Sequence, residues 1–109
     1  MIKKVLFICT ANMDRSPTAE SLLKQKNGFE VRSAGTWLHA RSRIKKELID
    51  WSDTIFVMEK HHKESLLNLN PKAEDKIVVL DIPDIYPRNS PELVRILKDK
   101  LSAHLNIKW

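Results

Sequence analysis

What most constrains this chain is an alternation of four short strand-like runs with polar segments that carry helical spacing. Val5-Leu6-Phe7-Ile8 ends at Cys9, Phe29 to Ala34 follows Asn27-Gly28, and Thr54 to Met58 and Ile77 to Leu80 complete the set. The continuously apolar runs predict strands buried on both faces, and Phe29 to Ala34, which alternates Phe29, Val31 and Ser33 with Glu30 and Arg32, predicts a short strand. Ser16-Pro17 predicts an N-cap and first helical residue, with Leu22 and Leu23 facing inward until Asn27-Gly28 stops the helix. From Ala40 to Ser52 the apolar residues Ile44, Leu48, Ile49 and Trp51 lie near one face, which predicts a second helix. His61 to Leu69 predicts a third, closed by Asn70-Pro71. Ser90-Pro91-Glu92 opens a fourth, with Leu93, Val94, Leu97 and Leu101 inward. The order predicts an α/β fold: one open doubly wound domain over residues 1–109, with a four-stranded parallel sheet and helices on both faces. Such sheets bind ligands beyond the carboxyl ends of their strands. Cys9 and Asp81 each follow a strand and fall on that rim.

A length of 109 residues supports one core and is too short for two. No apolar run approaches the roughly 20 residues of a membrane span, and no leader-like segment opens the sequence, so the expectation is a soluble cytoplasmic protein that engages no membrane. A single Cys and four scattered His give neither an internal disulfide nor zinc-finger spacing. The net charge is +5, and most of the excess lies in the first 54 residues. That favours anionic partners. The cations do not interleave with aromatics, which argues against nucleic acid.

The segment Cys9-Thr10-Ala11-Asn12-Met13-Asp14-Arg15-Ser16 places a thiol at a strand end, an Arg further along the loop, and a helix start after it. A loop wrapping into a helix N-terminus turns backbone N–H groups toward a tetrahedral anion, aided by the helix dipole. The same field favours thiolate over thiol, and an anionic sulfur at the floor of an anion cradle is a nucleophile aimed at phosphorus. Arg15 adds a planar fork that matches two phosphoryl oxygens. A bland alternative is a small buried cysteine in a strand. The strand before it and the capped helix after it favour the cradle.

These residues resemble the low-molecular-weight protein tyrosine phosphatase family: an apolar strand, Cys9 to Ser16, then Pro17-Thr18-Ala19-Glu20. Ser33-Ala34-Gly35-Thr36, Ile55 to Glu59, and Asp81-Ile82-Pro83-Asp84-Ile85-Tyr86 are similar to later family motifs in the same order. The resemblance implies that Cys9 attacks a phosphomonoester and forms a cysteinyl-phosphate, that Arg15 clamps the phosphoryl group, and that Ser16 donates to the sulfur. It implies that Thr10, Ala11, Asn12, Met13 and Asp14 contact the substrate, with Trp37 and Tyr86 at the pocket wall. Asn12, Ser33 and His39 correspond to residues that support the loop. Asp84 corresponds to the general acid, and Asp81, which directly follows the strand, competes for that role. No metal or cofactor is implied. The implied partners are a phosphotyrosine protein or small aryl phosphate as substrate and phosphate, sulfate or vanadate as ligand, with the chain a monomer or weak homodimer.

The sequence departs from the family pattern in three places. It is short between Thr36 and Ala40, it carries Asp14 where many members have a second Cys, and Ile85 and Pro87 replace a Pro and an aromatic. The Asp14 carboxylate is expected to point away from the anion, because it would otherwise oppose phosphate. Two other readings use the same loop. One is a phosphate-binding pseudo-phosphatase or interaction module; the other is an arsenate reductase, whose relay through one Cys would need an external thiol.

Overall fold

The computed structural model describes residues 2–109. Its sheet contains β1 (Lys3–Cys9), β2 (Phe29–Gly35), β3 (Thr54–Val57) and β4 (Ile77–Val79), all parallel and in the order β2-β1-β3-β4. The helices are α1 (Arg15–Leu23), α2 (Lys46–Trp51), α3 (Lys60–Leu69) and α4 (Pro91–Leu105), with a 3-10 turn at Pro71–Lys76. β1 is central and pairs on both sides, Cys9 opposite Gly35 of β2 and Ile8 opposite Val57 of β3. The chain moves to one side of β1 for β2 and to the other for β3. The order therefore reverses at the carboxyl end of β1, which makes a crevice there.

Side-chain alternation along β1 builds a core on each face. Val5, Phe7 and Cys9 pack with Leu23 of α1 and Leu93, Leu97 and Leu101 of α4. Leu6 and Ile8 pack with Ile49 of α2 and Leu66 of α3. Phe7 stacks on Phe56 with ring centroids 5.6 Å apart, a pair that contributes about 0.5–1.5 kcal/mol beyond its buried area. Among the described residues no helix is long and apolar enough to cross a membrane.

Two local expectations fail. The helix expected from Ala40 to Ser52 is confined to Lys46–Trp51, because the chain before it is extended and pairs with the end of β2. Gly35 N–H donates to the Ser42 carbonyl and Ile44 N–H to the Gly35 carbonyl. Ile44 is buried, so its apolar character reflects packing of an extended segment rather than a helical face. α1 begins at Arg15 with Asp14 at its N-cap, so Ser16 is inside the helix and its hydroxyl is used elsewhere. The Ser90 cap holds as expected, accepting from Leu93 N–H with Pro91 at the helix start.

Candidate active site

Cys9 ends β1 almost fully buried, 3% exposed, with its Sγ 2.9 Å from Ser16 Oγ. Ser16 Oγ accepts a 2.9 Å hydrogen bond from Asn12 Nδ2, which leaves the hydroxyl proton to donate to the sulfur. The second Nδ2 proton of Asn12 goes to Ser33 Oγ at 2.9 Å, and Ser33 donates onward to Glu20 Oε1 at 2.6 Å. Asn12 is buried in the left-handed region at φ 56°, a conformation that Asn tolerates better than most residues. One chain of hydrogen bonds thus runs from β2 and α1 through a strained loop residue to the thiol.

His39, expected to support Asn12, does not reach it. Its ring lies edge-on to Trp37, and the support comes from Arg41, whose Nε donates to the Asn12 carbonyl at 3.0 Å. The segment after the turn at Trp37 carries Arg41 back over the loop, where its N–H also bonds the Ala11 carbonyl. Among the described residues none accepts from the backbone N–H groups of Ala11, Asn12, Met13 or Asp14. Those donors belong to the cradle.

Arg15 is 1% exposed, far below what a free surface arginine shows. Its Nη1 donates to Glu59 Oε2 and to the Ile82 carbonyl, both at 2.6 Å, and its Nε lies 3.6 Å from Asp84 Oδ1. The fork is held by Glu59 just after β3 and by Ile82 in the loop that carries both candidate acids, residues 81–89, called the acid loop below; Nη2 also reaches Thr10 Oγ1 at 3.5 Å, which leaves its second proton free to meet an anion. Partial desolvation pushes the Glu59 carboxyl up, but the hydrogen bond and charge of Arg15, helped by His61, more than reverse this and hold it below its ordinary value.

A cleft of about 60 Å³ is lined by Cys9, Thr10, Ala11, Met13, Asp14, Arg15 and Asp84. A groove of about 490 Å³ elsewhere, walled by Thr36, Arg43, Lys45 and Ser65, is larger but contains no thiol, imidazole or carboxylate, so size does not mark the site. Trp37 and Tyr86 stand outside the cleft: Trp37 is half exposed, and Tyr86 packs on the core beneath the acid loop. Asp81 also turns away. It has φ 56° and faces a depression formed with Glu59, Lys60, His61 and Pro83, so of the two candidate acids only Asp84 reaches the thiol's cleft.

The Asp14 carboxylate is directed at the acid loop, its Oδ1 accepting from Arg88 N–H at 3.1 Å. Thr18 adds a second tie, donating to the Asp14 carbonyl and accepting from Asn89 N–H. Sequence reasoning missed Glu20, Thr18, Arg41 and His62. His62 stands in a polar helical run that carries no sign of burial, yet it is fully buried, its Nε2 2.9 Å from Thr10 Oγ1.

Gly35 permits the close approach of these parts. A Cβ there would lie 2.5 Å from the Thr10 carbonyl oxygen, 2.7 Å from Ala40 Cβ and 3.0 Å from Asn12 N. Gly35→Ala should therefore destabilise the protein by about 1–3 kcal/mol and displace the cradle; thermal denaturation together with phosphate binding checks this, and an unchanged phosphate affinity would contradict it.

A thiol at a strand end, beside a buried guanidinium and an exposed carboxylate, is an arrangement suited to a cysteine-based phosphatase. The comparisons agree. The low molecular weight phosphotyrosine protein phosphatase family matches residues 4–51. A protein-arginine-phosphatase of Geobacillus stearothermophilus is 33% identical, covering 92% of this chain and 89% of its own length. The low molecular weight protein-tyrosine-phosphatase Wzb of Escherichia coli strain K12 is 28% identical, covering 82% of each chain. The structure of Vibrio vulnificus Wzb in complex with benzylphosphonate superimposes with a TM-score of 0.78 at 25% identity, covering 95% of this chain and 97% of that one. The chain belongs to the low molecular weight phosphotyrosine protein phosphatase family, and it is a cysteine-dependent hydrolase.

Proposed function

We propose that the protein hydrolyses phosphotyrosine or a similar aryl phosphate in two displacements at Cys9. The observation that carries this reading is the placement of the Cys9 thiol, the free edge of Arg15 and the Asp84 carboxylate around one small cleft. In the first step the thiolate attacks phosphorus, the P–O bond to the phenol breaks, and Asp84 gives its proton to the leaving oxygen. The leaving oxygen lies opposite the sulfur, so its donor must come from a separate loop, and Asp84 does. In the second step Asp84 takes a proton from water, which attacks the cysteinyl-phosphate and releases phosphate and the thiolate. Ser16 stabilises the departing sulfur through its hydroxyl, and the loop amides with Arg15 stabilise the equatorial oxygens.

Rapid acid quenching during turnover of a phosphotyrosine peptide should yield phosphate covalently attached to the peptide that carries Cys9. Its absence while turnover proceeds would overturn the two-step mechanism. Asp84→Ala should lower kcat by about 10²-fold or more, with the largest loss on substrates whose leaving groups are poor, and Asp81→Ala should have less effect; the reverse order would move the acid to Asp81.

Phosphoarginine is a second reading, favoured by the 33% identity to a protein-arginine-phosphatase and by the Asp84 carboxylate on the cleft, which a guanidinium leaving group would face. Comparing kcat/KM on matched phosphotyrosine and phosphoarginine peptides decides between them.

A further inference from the structure

His62 and Thr10 form a contact that the two-step mechanism does not use. His62 is fully buried at the first turn of α3. Its Nδ1 accepts from Glu59 N–H at 3.0 Å, so the neutral ring carries its proton on Nε2. Burial, followed by the charges of His61 and Arg15, lowers its pKa to about 4 against an opposing pull from Glu59, so the ring is neutral at physiological pH. Nε2 lies 2.9 Å from Thr10 Oγ1 and donates to it. Arg15 Nη2 donates to the same oxygen at 3.5 Å.

A hydroxyl has two acceptor positions and one donor. In Thr10 both acceptor positions are taken, by His62 and Arg15, so its proton is directed away from them. Thr10 lines the cleft beside Cys9 and Arg15. We propose that His62 fixes the Thr10 hydroxyl as a hydrogen-bond donor to the bound phosphoryl group, which makes Thr10 a side-chain phosphate ligand and His62 its positioning residue. The inference rests on the phosphatase reading for its consequence in turnover, though not for its consequence in anion binding. A donor held in place before the anion arrives needs no reorganisation when charge spreads over the phosphoryl oxygens, and so serves the transition state as well as the bound ground state.

The alternative is that His62 only caps α3. Two substitutions separate these roles, because the Asn amide falls where Nδ1 was and the Gln amide where Nε2 was. His62→Asn keeps an acceptor for Glu59 N–H and loses the donor to Thr10, whereas His62→Gln keeps a donor to Thr10 and loses the cap. The readouts are dissociation constants for inorganic phosphate by calorimetry and kcat/KM on a phosphotyrosine peptide, with thermal denaturation to confirm folding. Thr10→Val should weaken phosphate and lower kcat/KM, each by about tenfold, and Thr10→Ser should stay near wild type. His62→Asn should lose as much as Thr10→Val, His62→Gln should lose less, and the Thr10→Val/His62→Asn double variant should be no worse than Thr10→Val alone. Wild-type behaviour in Thr10→Val, losses in His62→Gln that exceed those in His62→Asn, or additive losses in the double variant would each overturn the proposal. Weakened phosphate in Thr10→Val beside a wild type without turnover would support this proposal while removing the phosphatase reading.

Discussion

Cys9→Ser should abolish turnover, lowering kcat by about four orders of magnitude or more, while phosphate and vanadate still bind. The serine hydroxyl would occupy the floor of the cleft and keep its neighbour Ser16, and the loop amides, Arg15 and Thr10 would be unchanged, so the cradle should survive loss of its nucleophile. The measurement is paired: steady-state hydrolysis of a generic aryl phosphate, and calorimetric titration with phosphate. Equal loss of binding and turnover would mean that the thiolate itself organises the loop. Residual turnover near the wild-type level would mean that water, activated elsewhere, attacks phosphorus directly.

Arg15→Lys should be nearly as damaging, lowering kcat/KM by about 10³-fold. A surface arginine exchanged for lysine keeps its charge and little else changes, but this one is buried and divides its donors among four directions. Nη1 serves Glu59 and the Ile82 carbonyl, Nη2 approaches Thr10, and Nε faces Asp84. An ammonium has three donors on one point and cannot span that arc. The Ile82 carbonyl or Glu59 would lose its partner, at a cost of about 1–3 kcal/mol in stability, and the acid loop would lose its seat. Thermal denaturation should register that loss alongside the kinetics. A variant with wild-type stability and low activity would show that Arg15 acts on the anion alone.

Much of this was legible in the sequence because the relevant signals are local. The strand-like runs form four parallel strands, and Ser90-Pro91 opens α4 as a cap and first-turn pair should. Cys9 at the end of a buried strand and Arg15 further along the same loop could be read in the same way, although α1 starts at Arg15 itself, one residue before the expected Ser16 cap. The expected stop at Asn27-Gly28 does not hold: α1 already ends at Leu23, and Gly28, at φ 93°, turns the chain into β2 instead. What was illegible depends on contacts distant in the chain. The segment from Ala40 to Lys45 carries a helical spacing, but pairing with Gly35 outweighs that weak local preference. His62 stands in a polar run and reads as solvated until the cradle folds over it, and Glu59 shows its purpose only when Arg15 arrives from the other side of β1's end. Arg41 takes the place expected for His39 for the same reason.

The central position of β1 divides the site into parts of unequal permanence. Its amides are bonded into the middle of the sheet with helices on both faces, so Val5 to Ile8 exchange with solvent only when the whole domain opens. The acid loop is tied down by a few bonds: Arg88 and Asn89 N–H donate to Asp14 and Thr18, Ile82 N–H to the Met58 carbonyl, and Arg15 to the Ile82 carbonyl. With fewer backbone bonds than β1, the loop is expected to open before the sheet does. Mild denaturant should then silence the proton donation proposed for Asp84 while the cradle, rooted in the central strand, still holds its anion.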